Sequence, residues 1–80
     1  MASTDQALAC LNKYYIIGTM DQRKRALAEV LREYEPLVQG VSTARLEAMR
    51  AFTIHDYAST IIKAGADPDD VITKITLLLG

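Results

Sequence analysis

Signals that start or stop a helix recur at short intervals along this chain. Glycines at 18, 40 and 65 and prolines at 36 and 68 punctuate the sequence, and both residue types end helices, glycine through its backbone freedom and proline through its missing N–H. Between these residues, apolar side chains recur three and four positions apart, which is typical of amphipathic helices. We therefore predict an all-α fold in which residues 1–80 form a single small domain, an orthogonal bundle of about five short helices.

Capping boxes and helix breakers bound the first two helices. The motif Ser3-x-x-Gln6 starts the first helix, because a hydroxyl and an amide side chain at this spacing satisfy each other's backbone N–H groups. Gly18 is expected to end it. The motif Thr19-x-x-Gln22 repeats the start signal, and Pro36 ends the second helix near Tyr34.

The long helical stretch from 43 to 64 changes its apolar face at Thr53. The two stripes are turned by roughly 150° from each other; the first consists of Leu46, Met49 and Phe52, and the second of Ile54, Ala58 and Ile61. Thr53-x-x-Asp56 has capping-box spacing, and Phe52 can pack as a staple onto Tyr57. We predict two helices with Thr53 at their junction.

The last segment carries both helix and strand features. Asp67-Pro68 after Gly65 is a strong helix start, since Asp caps and proline suits the first helical position. The β-branched residues that follow also permit a strand, but the start signal favours a helix. For the whole domain, the predicted core is Leu8, Leu11, Leu27, Leu31, Met49, Phe52, Ile54, Ile61 and Ile75.

Composition argues against several classes of chemistry. One cysteine and one histidine, Cys10 and His55, can form neither an internal disulfide nor a zinc site within one chain. Asp67, Asp69 and Asp70 lack the alternating spacing of a calcium loop and are better explained as helix-capping acids. The four glycines are isolated, so no phosphate loop is present. We expect no metal, no cofactor and no catalytic activity.

The chain also lacks the sequence features of secreted and membrane proteins. Its first residues have no basic and apolar signal-peptide pattern, and no apolar run approaches the roughly 20 residues of a membrane helix. A single thiol is typical of a reducing compartment. We therefore expect a cytoplasmic protein with no membrane association.

Function is predicted mainly by elimination. Forty residues in 80, or 50%, are apolar, which is high for a small domain and favours a non-enzymatic protein–protein interaction module such as an adaptor, an inhibitor or a regulatory subunit. Its protein partner is not identified by the sequence. The candidate partner-binding residues form the basic run of the second helix: Arg23, Lys24, Arg25 and Arg32.

The alternative is a nucleic-acid-binding transcriptional regulator that uses the same basic helix face. Nine basic and ten acidic residues give a net charge of −1, which provides little attraction for phosphates. Asp21 and Glu29 also neutralise part of the basic run. Nucleic acid is therefore the less favoured partner.

The C-terminal leucines predict a homodimer. Ile72 and Leu79 extend the apolar stripe of the last helix and Leu77 widens it, so that a bundle of this size is expected to leave part of this surface for a second copy. The alternative is that all three side chains pack within their own chain.

Overall fold

Five α-helices and one 3₁₀ helix make up the part of the chain that the structure, a computed structural model, describes, which is residues 1–14 and 22–80. The helices are α1 (Thr4–Asn12), α2 (Gln22–Leu31), the 3₁₀ helix (Arg32–Leu37), α3 (Thr43–Phe52), α4 (Ile54–Lys63) and α5 (Pro68–Leu79). These residues contain no strand, which confirms the predicted all-α bundle and the helical interpretation of the last segment.

Helix α4 lies at the centre of the bundle and packs against α1, α2 and α3, while α5 packs against α1 and α2. The inward face of α4 carries buried apolar residues three and four positions apart, as the amphipathic pattern requires. The buried apolar residues of the domain are Ala7, Leu11, Leu27, Ala28, Leu31, Leu46, Met49, Ile54, Tyr57, Ala58, Ile61, Ile62, Ala66, Val71, Ile75 and Leu79. Seven of the nine predicted core residues are among them, and Leu8 is half-buried against the same cluster.

Two of the predicted helix starts have the expected hydrogen bonds. At α1, the Gln6 backbone N donates to Ser3 Oγ at 3.2 Å, and the Ser3 backbone N donates to Gln6 Oε1 at 2.7 Å. At α5, the Asp69 backbone N donates to Asp67 Oδ1 at 3.1 Å, and Pro68 occupies the first turn. The predicted signals at Tyr15, Gly18 and Thr19 lie outside the described residues.

The end of α4 at Gly65 follows from the backbone freedom of glycine. Gly65 has a φ of +128°, a conformation that L side chains rarely adopt. This geometry lets the Ala66 N–H reach the Ile61 carbonyl at 3.2 Å and the Gly65 N–H reach the Ile62 carbonyl at 3.1 Å. The two bonds form a Schellman cap, and the chain then turns directly into α5.

Helix α2 ends at Leu31, three residues before the end that was predicted near Tyr34. The α-helical hydrogen bonding stops at Leu31 and continues as a 3₁₀ helix to Leu37, with Pro36 inside it. A proline ring clashes with the carbonyl four residues before it, here that of Arg32, and removes the N–H that would bond there. The tighter 3₁₀ turn accommodates the proline where the α-helix cannot.

The predicted break at Thr53 is confirmed, but the predicted cap is wrong. Thr53 has φ −137° and ψ 64°, so α3 and α4 are separate helices. Its hydroxyl does not accept a hydrogen bond from the first turn of α4, and instead points back to the Met49 carbonyl at 3.5 Å. Backbone geometry, and not a side-chain cap, therefore makes the junction.

The placement of Phe52 in the core is also wrong, because 82% of its surface is exposed. Each step of three residues along a helix turns the side chain by roughly 60° relative to the preceding one. Leu46 and Met49 define the buried face of α3, and Phe52 has rotated beyond it. With Tyr57 fully buried, the expected staple between these two side chains does not form.

A direct stability test compares the residues that precede α3 and α4, which are Ser42 and Thr53. Ser42 Oγ accepts a hydrogen bond from the Arg45 backbone N at 3.2 Å, whereas Thr53 accepts none from α4. We expect Ser42→Ala to lower the free energy of unfolding by about 1 kcal/mol and Thr53→Ala to change it by less than about 0.5 kcal/mol. Chemical denaturation measures both. Equal losses for the two variants would show that the Thr53 hydroxyl does cap α4.

Candidate functional site

A groove between α2 and α3 is the candidate functional site. Its volume is about 330 Å³, within the range of sites that accept a side chain or a small ligand. Ala28 and Ala51 leave room between the two helices because their side chains end at Cβ. The lining residues are Arg25, Ala28, Glu29, Glu47, Arg50, Ala51 and Phe52. We call this feature the α2–α3 groove.

Phe52 gives the α2–α3 groove an exposed aromatic residue. It is the only phenylalanine of the chain, and it ends α3 immediately before the backbone turns at Thr53. Isolated apolar side chains are common on protein surfaces. An aromatic ring beside a recess with charged walls, however, has the composition of a protein-binding site, with an apolar anchor inside a polar rim.

The four residues of the predicted basic patch differ in their exposure. Arg23 and Arg25 are exposed, but only 3% of the surface of Lys24 is accessible to solvent. The reason is register, since Lys24 lies three, four and seven residues before Leu27, Ala28 and Leu31, and so shares the core-facing side of α2. The inclusion of Lys24 among accessible partner-binding residues is therefore wrong.

Arg32, another of the four predicted residues, forms a local ion pair. Its Nη1 lies 3.2 Å from Glu29 Oε2, and both side chains are largely exposed. A pair of this kind adds little stability in water, but it offsets the charge that Arg32 would present to a phosphate. Of the four predicted residues, Arg25 alone lines the α2–α3 groove.

A charged network fixes the position of Arg50, one of the residues that line the α2–α3 groove. Arg50 Nη1 donates to Glu35 Oε1 at 2.6 Å, and the side chains are only 12% and 22% exposed. The Tyr57 hydroxyl donates to the same carboxylate oxygen, and the guanidinium of Arg50 lies 5.9 Å from the Tyr57 ring centre. Three elements, the 3₁₀ helix, α3 and α4, are joined by these contacts. Arg50 therefore has a fixed position in the wall of the α2–α3 groove, and the carboxylate of Glu35 compensates its charge.

A second charged network joins α5 to the 3₁₀ helix. Lys74 Nζ lies 2.6 Å from Asp70 Oδ2 and 3.0 Å from Glu33 Oε1, and it donates to the Tyr34 hydroxyl at 3.0 Å. The Tyr34 hydroxyl in turn donates to Asp70. The hydrogen bond to Asp70 and the contact with Glu33 raise the pKa of Lys74. These groups satisfy one another, which identifies the network as structural.

The three residues predicted to form the homodimer interface do not share one surface. Leu79 is buried, at 5% exposure, because it continues the inward stripe of Val71 and Ile75 at intervals of four residues. Leu77 is 80% exposed, and Ile72 is half-buried against the core. Leu79 is therefore unavailable to a partner, and Ile72 and Leu77 point away from each other along α5.

The other residues considered for chemistry have ordinary structural surroundings. Asp67 caps α5, Asp69 accepts from the Ala2 backbone N at 3.1 Å, and Asp70 belongs to the Lys74 network. His55 is half-exposed in the first turn of α4, and Cys10 is half-buried in α1. Within residues 1–14 and 22–80, no group of three His, Cys, Asp or Glu residues is placed to hold a metal ion.

No helix in the described ranges combines the length and the apolar character that crossing a bilayer requires.

Sequence reasoning missed the α2–α3 groove. The relevant signal is helical spacing, because Arg25 and Glu29 are one turn apart on α2, and Glu47 and Ala51 are one turn apart on α3. What the spacing does not show is that these two faces meet, which depends on the connection through the 3₁₀ helix.

Comparison with known proteins adds no family or relative, since no protein-family model, curated protein or solved structure matches the chain.

The Tyr57 contact predicts a specific dependence of stability on pH. Burial, followed by the hydrogen bond to Glu35, raises the pKa of Tyr57 above its usual value of 10.0. The folded state thus favours the neutral phenol, so its contribution is complete below the unfolded pKa and is lost as the pH rises above it. We expect the difference in unfolding free energy between wild type and Tyr57→Phe to fall above pH 10 by up to about 1.4 kcal/mol per pH unit.

Denaturant titrations of both proteins across this alkaline range measure that difference, and other titrating groups cancel because both chains contain them. A difference that stays constant from neutral pH to about pH 11 would contradict the raised pKa.

Proposed function

We propose that this chain is a non-enzymatic protein–protein interaction module, a small adaptor, inhibitor or regulatory subunit, and that the α2–α3 groove is its docking surface. The proposal includes a cytoplasmic location, for which the single thiol of Cys10 is suited. The observation that carries it is the 82% exposure of Phe52 at a recess of about 330 Å³.

The energetics of Phe52 support this role. Full burial of such a side chain contributes roughly 1.5–3 kcal/mol, and the monomer gains almost none of it because the ring remains in water. A partner that covers the ring gains this free energy on binding. The held position of Arg50 means that one wall of the groove needs little ordering when a partner docks, which reduces the entropic cost of association.

The charges of the α2–α3 groove favour a protein over a nucleic acid. Glu29 and Glu47 line the groove together with Arg25 and Arg50, and Arg50 is already paired with Glu35. A phosphate backbone would therefore meet carboxylates beside each cation, which opposes the counterion-driven binding that nucleic-acid proteins use. A nucleic-acid-binding regulator remains the competing function, because Arg23 and Arg25 are exposed basic residues.

Capture experiments with matched surface variants test the proposed function. Tagged wild-type chain, Phe52→Asp and Leu77→Asp are incubated with extract from the source cells, with and without nuclease treatment, and bound proteins are quantified by mass spectrometry. Leu77, at 80% exposure, is the control because it is as accessible as Phe52 but lies on α5. We expect Phe52→Asp to reduce specific capture about tenfold or more and Leu77→Asp to leave it unchanged.

The contrary outcomes are equally specific. Equal capture by wild type and Phe52→Asp would exclude the α2–α3 groove as the docking surface. Binding that requires nucleic acid, weakens steeply with salt and disappears when Arg23 and Arg25 are neutralised would instead support the regulator.

A further inference from the structure

The α2–α3 groove combines an exposed side chain with a recess of matching size. Phe52 extends from one end of the groove into solvent. A cavity of about 150 Å³ is enough to hold a benzene ring, so the groove of about 330 Å³ has room for an aromatic side chain from another molecule. A surface that carries both the ring and the space for one can be complementary to itself.

The charges of the groove have the same self-complementary character. Two cations and two anions line it, of which Arg50 is paired with Glu35 and Glu29 with Arg32. Two opposite charges on opposing walls remain, Arg25 on α2 and Glu47 on α3, and neither forms an ion pair within residues 1–14 and 22–80. A strongly acidic or strongly basic partner would meet one like charge here.

We propose that the occupant of the α2–α3 groove is a second copy of this chain, related by a two-fold axis. This inference rests on the proposed function of the groove as a docking surface. A two-fold interface uses the same patch on both molecules, so each contact occurs twice. Phe52 of each copy enters the groove of the other, and Arg25 of each copy lies against Glu47 of the other.

This arrangement moves the dimer surface away from the C-terminal end of α5. Leu79 is buried in its own chain, and Leu77, although exposed, does not line the α2–α3 groove. The α2–α3 groove offers an apolar anchor, a volume to receive it, and charges of both signs that form no ion pair among the described residues. These are the components of a specific interface.

Sedimentation equilibrium of the purified full chain over micromolar concentrations tests the proposal. We expect wild type to dimerise, Phe52→Asp to weaken the association about tenfold or more, and Leu77→Asp to match wild type. Both positions are exposed, so each variant should unfold with the midpoint of the wild-type monomer.

Charge reversal provides a second test that misfolding cannot imitate. Alone, Arg25→Glu places carboxylates against each other twice across the two-fold axis, and Glu47→Arg does the same with guanidinium groups, so each variant should dimerise more weakly than wild type. An equimolar mixture should form heterodimers, because each copy then carries two charges opposite to those of its partner. Recovery in the mixture alone demonstrates contact between copies.

Two results would overturn the inference. A wild-type chain that stays monomeric throughout the series excludes the second copy, while capture that still depends on Phe52 would leave the proposed docking function intact. A dimer that is insensitive to Phe52→Asp and to both charge reversals would place the interface elsewhere.

Discussion

The departure of the backbone from helical geometry at Thr53 is the constraint on which the rest of this structure depends. At φ −137° and ψ 64° the chain leaves α3 and starts α4 in a new direction. A continuous helix would place Thr53 on the same face as Leu46, seven residues earlier, where a polar side chain would meet the core. The break lets α4 turn its own apolar face inward, and leaves Phe52 outside at the end of α3.

Polar contacts, together with the packing of Tyr34 against the core, attach the 3₁₀ helix to the bundle. None of its six residues is fully buried. Glu35 holds it to α3 and α4 through Arg50 and Tyr57, and Glu33 joins it to α5 through Lys74. Because this segment connects α2 to α3, its attachment also determines how the walls of the α2–α3 groove face each other. The same contacts compensate the charge of Arg50 and leave Arg25 and Glu47 available on the surface.

Local signals were enough to predict most of the fold. The caps at Ser3 and Asp67, the end of α4 at Gly65 and the break at Thr53 depend on residues within one helical turn, so the sequence contains the information needed to place them. The misplaced residues, Lys24, Phe52 and Leu79, depend on which face of a helix the neighbours cover. Composition does not show which face of a helix is covered. Apolar or charged character alone therefore assigned each of these residues to the wrong environment.

The sequence by itself determined that this protein is helical and where most of its helices end, because glycine, proline and capping residues act on the backbone beside them. Only the tertiary structure decided that α2 and α3 lie side by side, that Lys24 faces the core and that Phe52 faces water. Helix register and the packing of distant segments set these outcomes, through contacts such as that between Glu35 and Arg50. The candidate site belongs to this second group, since its two walls come from separate helices.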